Sequence, residues 1–540
     1  FLDTDELVEE RAGMLIARLF AERGEEAFRA LEAEALAEAA RAERVVIATG
    51  GGVVVRAANR ALLRENGWRV ALHVSPSTAL ARLTQERLRA GSAAPERPLL
   101  AGDDPLQRLH ALRERRQRFY DEADDAVATD GLDAATVAAR IVAGLVARGF
   151  IGGHETGMVA QIAGSPGERY EAVVAWGGLA TLGVRLAALG LPPRLHLVSD
   201  SHVALLYGPP VLAQLAAAGF DTDLWTLPAG EASKNREQLA ALHDWLAERR
   251  AERREAVVAL GGGVVGDLAG FAAATYLRGV PLVHVPTTLL AQVDSSIGGK
   301  VGINHPLGKN LLGAFHQPTL VLADPATLLT LPERVRTEGW AEVIKHGAAL
   351  DAASFAALER DADALRALDP AATTRAIAES VELKGRVVES DVHEREGGRR
   401  VLLNYGHTIG HALEAVAGYG AWLHGEAVAV GMAVAARVGQ RLGLTPPGVV
   451  ARQDALLKAF GLPLRCPSVP AAALLRAALW DKKVRGRRVH WVLLTELGAA
   501  RVVGDVPDEV VRAALLDLGA SDAPDEPGAA AGEARNDPAN

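Results

Sequence analysis

Three histidines, His407, His411 and His424, fall in one short stretch, NYGHTIGHALEAVAGYGAWLHGEA, beside several glycines and Asn404. Upstream, EGWAEVIKHGAAL sets Glu342, Lys345 and His346 on a helical pattern, with Glu342 and Lys345 one turn apart. A carboxylate and two imidazoles that leave one coordination position open are the donor set of a catalytic divalent metal, most often zinc. His407 and His411 stand at i, i+4 on one helix face, so residue types alone leave open which two histidines are the ligands. A lone histidine is usually structural. Three in 18 positions, beside glycines and Asn404, argue for a site.

The cations say what such a site would hold. The chain has only eight lysines, and arginine does the general work of solvation. A retained lysine marks a place that needs a compact ammonium with a tunable pKa rather than a planar guanidinium. All but Lys458 lie in chemically suggestive motifs: Lys234, Lys300, Lys309, Lys345, Lys384, Lys482 and Lys483. With Glu396, Arg399 and Arg400 between Lys384 and the histidines, these cations imply an anionic substrate carrying phosphate or carboxylate.

Two glycine turns add a further element. VVIATGGGVVVR at 45–56 and AVVALGGGVVGDLAG at 256–270 both read as a β-branched strand running into three glycines, one backbone solution that brings bare N–H groups close to a ligand. The second opens a helix of small residues, which suits a pyrophosphate at a helix N-terminus. It is followed by VPTTLLAQVDSSIGGKVGINHPLGKN, a run of hydroxyls, an acid and two lysines that reads as a binding wall.

These residues need a scaffold, and 540 residues exceed one core. Residues 1–148 alternate helical and strand patterns, an α/β layer. Residues 149–168 read as a Gly/Pro-bearing linker, 169–330 as a second α/β domain, 331–519 as mainly helical with a possible hairpin at RRVHWVLLTELG, and 520–540 as a disordered tail. The 49% hydrophobic and 23% charged fractions are those of a globular protein without a membrane span. A net charge of −9 leaves no electrostatic footprint for nucleic acid. The single Cys466 excludes an intramolecular disulfide framework and points to a reducing cytoplasm. Phe1 opens the chain without methionine, in what reads as the middle of a strand, so a truncated front is expected.

Residues 168–515 resemble 3-dehydroquinate synthase along that family's whole length, through GGGVVGDLAG, PTTLLAQVDSSIGGK, AEVIKHG and LNYGHTIGHALE with LHGEA, in the family's order. The resemblance implies NAD held by Asp200, Glu231, Lys234, Gly262, Gly263, Val264, Asp267, Thr287, Thr288, Lys309 and Thr330. It implies zinc or cobalt on Glu342, His407 and His424. Arg278, Asp294, Lys300, Asn310, Lys345, Lys384, Glu396, Arg400, Asn404, His411 and Lys483 would surround the substrate, with Asp294 and Lys300 also facing the cofactor. The segment between Lys384 and Asn404 is longer than the family's, which leaves Glu396, and Arg400 against Arg399, open. So does the lysine pair leave Lys482 against Lys483. A second ligand assignment takes His407 and His411 and makes His424 structural. A homodimer through this part is implied.

The front resembles shikimate kinase, through DTD at 3–5, GEEAFRALEAEAL, IATGGGVV, ERPLLAG and RERRQRFYDEAD. That implies a P-loop-kinase-like parallel α/β domain with a shikimate pocket of Asp5, Arg29, Gly50, Gly51, Gly52 and Arg116, Asp3 near magnesium, and Arg97 on a lid over ATP. No G-x-x-x-x-G-K-[ST] occurs in the 540 residues, so the nest that cradles ATP phosphates is missing from this sequence. The combined expectation is a two-enzyme chain of one biosynthetic route, the shikimate pathway. The rivals are a metal-dependent polyol dehydrogenase of the same architecture and a non-catalytic metabolite-binding scaffold.

Overall fold

Short runs, most of them rich in apolar and β-branched residues, build a seven-stranded sheet in the computed structural model. In spatial order the strands are Met158–Ala163, Arg169–Val174, Leu320–Ala323, Leu282–Pro286, Ala256–Gly261, Arg194–Asp200 and Asp221–Leu227. All neighbours are parallel except the first pair. The structure describes residues 1–43, 45–90, 104–150, 157–163, 169–394, 398–418, 421–466, 469–483 and 490–523, the side chains of 90, 163 and 479–483 excepted. The chain divides into two units, Phe1–Ile141 and Val142–Asn540.

The sheet of the second unit is buried on both faces, which is why its strands read as continuous apolar runs. Along Ala256–Gly261 the side chains alternate between two cores. Ala256, Val258 and Leu260 join the larger one, and Val257 and Ala259 the smaller. The parallel strands all end on one edge, the place where open α/β sheets bind ligands. There Gly261 leads into the helix Gly263–Thr275, Pro286 into Thr287 and Thr288, Asp200 into the helix Ser201–Ala217, and Leu227 toward Glu231 and Lys234. A two-stranded antiparallel hairpin, Lys300–His305 with Gly308–Phe315, follows. The stretch expected as linker instead carries the edge strand Met158–Ala163, paired antiparallel with Arg169–Val174. Its alternating MVAQIA is short and framed by glycines, and that framing hides it.

Beyond Leu331 the unit is helical. Glu333–Leu350 carries the carboxylate, Pro370–Ser390 carries Lys384, and His407–Ala417 and His424–Arg441 carry the histidines. The two histidine helices touch backbone to backbone: a Cβ on Gly431 would lie 1.9 Å from the carbonyl oxygen of Gly406, which itself adopts φ +81°. Glycine at these two positions lets the helices approach closely enough to bring His407 and His424 together. The hairpin expected at RRVHWVLLTELG is present, with Trp491–Glu496 antiparallel to Ala499–Val503. No described helix is long and apolar enough to cross a membrane. Of the disordered tail expected over 520–540, the first residues are ordered, with Ala520 buried and Ser521 bridged to Pro470, and residues 524–540 lie outside the described residues.

The first unit pairs Leu2–Asp3 with Ile47–Ala48 and Val70–His73 with Asp125–Ala128, both parallel, among helices packed on Val8, Leu19, Phe28 and Ala35. The N-terminal strand is only two residues long here. Asp3 ends it and caps the helix Thr4–Ala12 by accepting from the Asp5 N–H at 2.8 Å.

Candidate active site

Glu342 is fully buried on its helix, and its Oε1 makes no hydrogen bond. Leaving such an atom unsatisfied is costly unless something else meets it. His407 Nε2 lies 3.6 Å from it and His424 Nε2 3.8 Å. Ligands of a tetrahedral ion bonded at about 2.1 Å stand about 3.4 Å apart, so the three atoms fit one zinc or cobalt ion with a position to spare. Around them, His407 Nδ1 faces the Tyr405 carbonyl at 3.2 Å, which makes Nδ1 the protonated nitrogen and turns the Nε2 lone pair toward Glu342. Burial, together with Lys345 and the neighbouring histidines, holds the His407 ring neutral, well below the usual range. Burial also works against a charged His424, but the hydrogen bond and charge of Glu414 outweigh it and raise its pKa. His411 stands edge-on to His407, with ring centroids 5.2 Å apart. Among the described residues, His407 and His411 do not form a ligand group with Glu342, whereas His407 and His424 do.

Lysines ring this point. Lys345 pairs with the second oxygen of Glu342 one turn back. Lys384 donates to both the side chain and the carbonyl of Asp294, each at 2.6 Å. Burial would raise the Asp294 pKa, yet Lys384 and Lys345 hold it well below the usual range. Lys384 is itself lowered by burial against the pull of Asp294. Lys300 pairs with Glu394, which also bonds Asn404. Arg400 is buried and donates to the carbonyls of Val392 at 2.6 Å and Gly298 at 3.1 Å, while Arg399 is exposed.

The glycine edge is assembled as a second wall. The helix Gly263–Thr275 begins with Gly262 at its cap and no side chain bonded there, so its first N–H groups are left for a ligand. A Cβ on Gly262 would lie 3.0 Å from Thr288 Cγ2, and one on Gly263 3.1 Å from Ser295 Oγ. Lys234 bonds Asp267 and Asn310, both at 2.5 Å, which ties the hairpin to this helix. Burial raises Asp267 against the pull of Lys234. Asn304 joins Glu231 at 2.7 Å. Thr287 Oγ1 is buried without a partner, a polar atom on the floor of the same edge.

Several expected residues stand elsewhere or are already engaged. Asp200 caps the helix Ser201–Ala217, accepting from His202 and Val203 at 2.9 and 3.0 Å. Thr330 is bonded to Tyr207 and to the Thr327 carbonyl. Val264 lies in the first turn of the glycine helix. Arg278 is exposed beyond the far end of that helix, at φ +67°. Thirteen residues at 1.5 Å each put it roughly 20 Å from the glycine turn. Arg97 and Glu396 lie outside the described residues, as do the side chains of Lys482 and Lys483. Sequence reasoning missed Glu414, Glu394 and Asn304. Glu414 alone carried a signal, as an acid three residues after His411 in HTIGHALE.

In the first unit, Asp5, Arg29, Gly50, Gly51, Gly52 and Arg116 do come together. A Cβ on Gly50 would meet Asp5 at 3.2 Å, one on Gly51 Arg116 at 3.8 Å, and one on Gly52 Arg29 at 2.3 Å. Two residues missed in the sequence complete the cluster. Tyr120 donates to the Gly51 carbonyl at 2.6 Å, and buried Glu32 accepts from Arg29 at 2.8 and 2.9 Å. Burial raises the Glu32 pKa against the pull of Arg29. Gly52 leads into a short 3-10 turn, Val53–Val55, before the helix Ala57–Asn66, whereas a helix begins directly after Gly262.

Family models match the chain as the N-terminal domain of 3-dehydroquinate synthase over 224–338, its C-terminal domain over 339–484, and shikimate kinase over 1–146. A 3-dehydroquinate synthase of Nostoc punctiforme is 47% identical over 353 residues, 65% of this chain and 97% of the relative. One of Halorhodospira halophila is 49% identical over 351 residues, with the same coverage. Among solved structures, 2-epi-5-epi-valiolone synthase from Streptomyces hygroscopicus subsp. jinggangensis, with NAD+ and Zn2+ bound, is 30% identical. It matches at a TM-score of 0.61 over 66% of this chain and 99% of that one. A 2-deoxy-scyllo-inosose synthase complexed with carbaglucose-6-phosphate, NAD+ and Co2+ is 26% identical, at a TM-score of 0.59 over 67% of this chain and 100% of that one.

Proposed function

Because the chain belongs to the 3-dehydroquinate synthase family, we propose that its second unit converts 3-deoxy-D-arabino-heptulosonate 7-phosphate to 3-dehydroquinate and phosphate. The observation that carries this reading is the convergence of Glu342, His407 and His424 on one ion-sized point, with Glu342 Oε1 otherwise unsatisfied. When bound, NAD would supply reversible hydride acceptance at a secondary hydroxyl, and the divalent ion would supply polarisation of the substrate's oxygens. The transient ketone acidifies the neighbouring C–H, which permits loss of phosphate. Ring opening and an aldol closure complete a reaction with no net redox change.

The chain's own residues bind, orient and move protons. Glu342, His407 and His424 would hold the ion, and the free N–H groups after Gly262 would face the NAD pyrophosphate. Lys345, Lys384, Lys300 and Arg400 would supply cations for the substrate's phosphate and carboxylate, and Asn404 a neutral hydrogen-bonding amide. His411, edge-on to His407 and outside the ligand group of Glu342, would carry a proton near the departing phosphate. A homodimer and a cytoplasmic location belong to the same reading. In the first unit the Asp5, Arg29, Gly50–Gly52 and Arg116 cluster would take shikimate, a small carboxylate with hydroxyls, and calorimetric titration with shikimate tests it.

The test of the synthase is phosphate release, followed with chelator and metal add-back. Chelation should abolish it, zinc or cobalt should restore it, and His424→Ala should lose it. Accumulation of NADH without phosphate would mean a polyol dehydrogenase. Unchanged phosphate release in His424→Ala would remove the ligand assignment.

A further inference from the structure

Glu414 stands between the two halves of the site, and neither the motifs nor the proposed reaction gives it a role. It is buried, on the helix His407–Ala417, and its two oxygens are divided between two partners. Oε2 faces His424 Nδ1 at 3.3 Å, so the ring nitrogen opposite the ion-binding Nε2 donates to this carboxylate. Oε1 accepts from Lys309 Nζ at 2.9 Å. Lys309 lies on the hairpin strand Gly308–Phe315, and its neighbour Asn310 is tied through Lys234 to Asp267 on the glycine helix. One carboxylate thus joins a metal-side imidazole to a cofactor-side ammonium.

The two partners compete for one negative charge. An ion on His424 Nε2 polarises the ring and strengthens Nδ1–H as a donor, which draws Glu414 toward His424 and loosens its hold on Lys309. An anionic cofactor that attracts Lys309 leaves Glu414 less neutralised and a better acceptor for His424. Each event favours the other. We propose that Glu414 is a positioning residue that couples the two sites, so that the divalent ion and NAD bind with positive cooperativity. The inference rests on the assignment of His424 to the metal and of Lys309 to the cofactor.

The experiment measures the zinc affinity of the full chain by chelator competition, with and without saturating NAD, and the NAD affinity by calorimetry, with and without zinc. For the unaltered chain, NAD should tighten zinc about five-fold or more, and zinc should tighten NAD by the same factor, as linkage requires. Glu414→Gln should weaken zinc about 10- to 100-fold and bring the coupling factor to about one. Lys309→Met should act in the opposite direction. With the competing ammonium gone, zinc should bind the NAD-free variant at least as tightly as it binds the NAD-loaded native chain, and NAD should no longer change it. A merely structural Glu414 would make both variants lose zinc together, and that result would overturn the proposal, as would a native coupling factor of one or an unchanged factor in Glu414→Gln. Zinc binding that survives His424→Ala would instead refute the underlying metal assignment, and the coupling with it.

Discussion

His284 offers a quantitative test of how the sheet and the glycine helix are held together. It lies on the central strand Leu282–Pro286, 3% exposed, and its ring is within 3.3 Å of where a Cβ on Gly266 would sit. Burial, aided by the nearby His316, lowers its pKa to about 4. An unfolded histidine titrates near 6.5. Above pH 6.5 the ring is neutral in both states and contributes nothing to the pH dependence. As the pH falls below 6.5 the unfolded chain takes up a proton that the folded chain refuses until about pH 4, so stability is lost across that window. At pH 5 the unfolded state gains a factor of about 30 from this one group, equivalent to about 2 kcal/mol. The assay is urea denaturation of the full chain and of His284→Leu at pH 7 and pH 5. The native chain should lose about 2 kcal/mol more than the variant on acidification. Equal losses in the two proteins would show that His284 accepts its proton in place, and that the packing around Gly266 is looser than the contact distances require.

Two further perturbations test the packing and the first unit. Gly431→Ala drives a Cβ to 1.9 Å from the Gly406 carbonyl oxygen, so the histidine helices must separate. Overpacking of this kind costs about 1–3 kcal/mol, and zinc affinity should fall with thermal stability because His407 and His424 ride on those helices. Arg29→Met strands Glu32, 1% exposed, without its cation. The expected loss is about 3–5 kcal/mol in the first unit's denaturation, largely recovered in the double variant Arg29→Met/Glu32→Leu.

What the sequence made legible was whatever depends on residue type within a short span. Glu342 and the cluster of His407, His411 and His424 announce themselves because a carboxylate helix and three imidazoles in one short span are rarely needed for packing alone, though which two imidazoles pair with Glu342 was not readable. Lys345 and Lys384 announce themselves because arginine had replaced lysine almost everywhere else. The strand edge that seats the glycine turn was legible for the same reason, a β-branched run ending in glycines. Glu394 was not, and Glu414 only as an acid close to His411, because their importance arises from partners 94 and 105 residues away in Lys300 and Lys309. An isolated glutamate on an amphipathic helix says nothing of such a partner. Arg400 reads as a substrate cation, but its burial among the Val392 and Gly298 carbonyls gives it backbone to hold as well.

The two GGGVV turns show most plainly where local sequence stops deciding. Both follow a strand, and both use glycine to let something come close. After Gly262 nothing caps the thirteen-residue helix, and the neighbours are hydroxyls, Thr288 and Ser295, which leaves a row of N–H groups open to an anion. After Gly52 a short turn, Val53–Val55, comes before the next helix, Ala57–Asn66, and the space a side chain would fill is taken by the guanidinium of Arg29, itself held by Glu32. In the second unit the glycines expose backbone; in the first they admit a cation. The difference lies in what the distant chain brings up behind the turn, so an identical pentapeptide opens a row of N–H groups in one place and seats a guanidinium in the other.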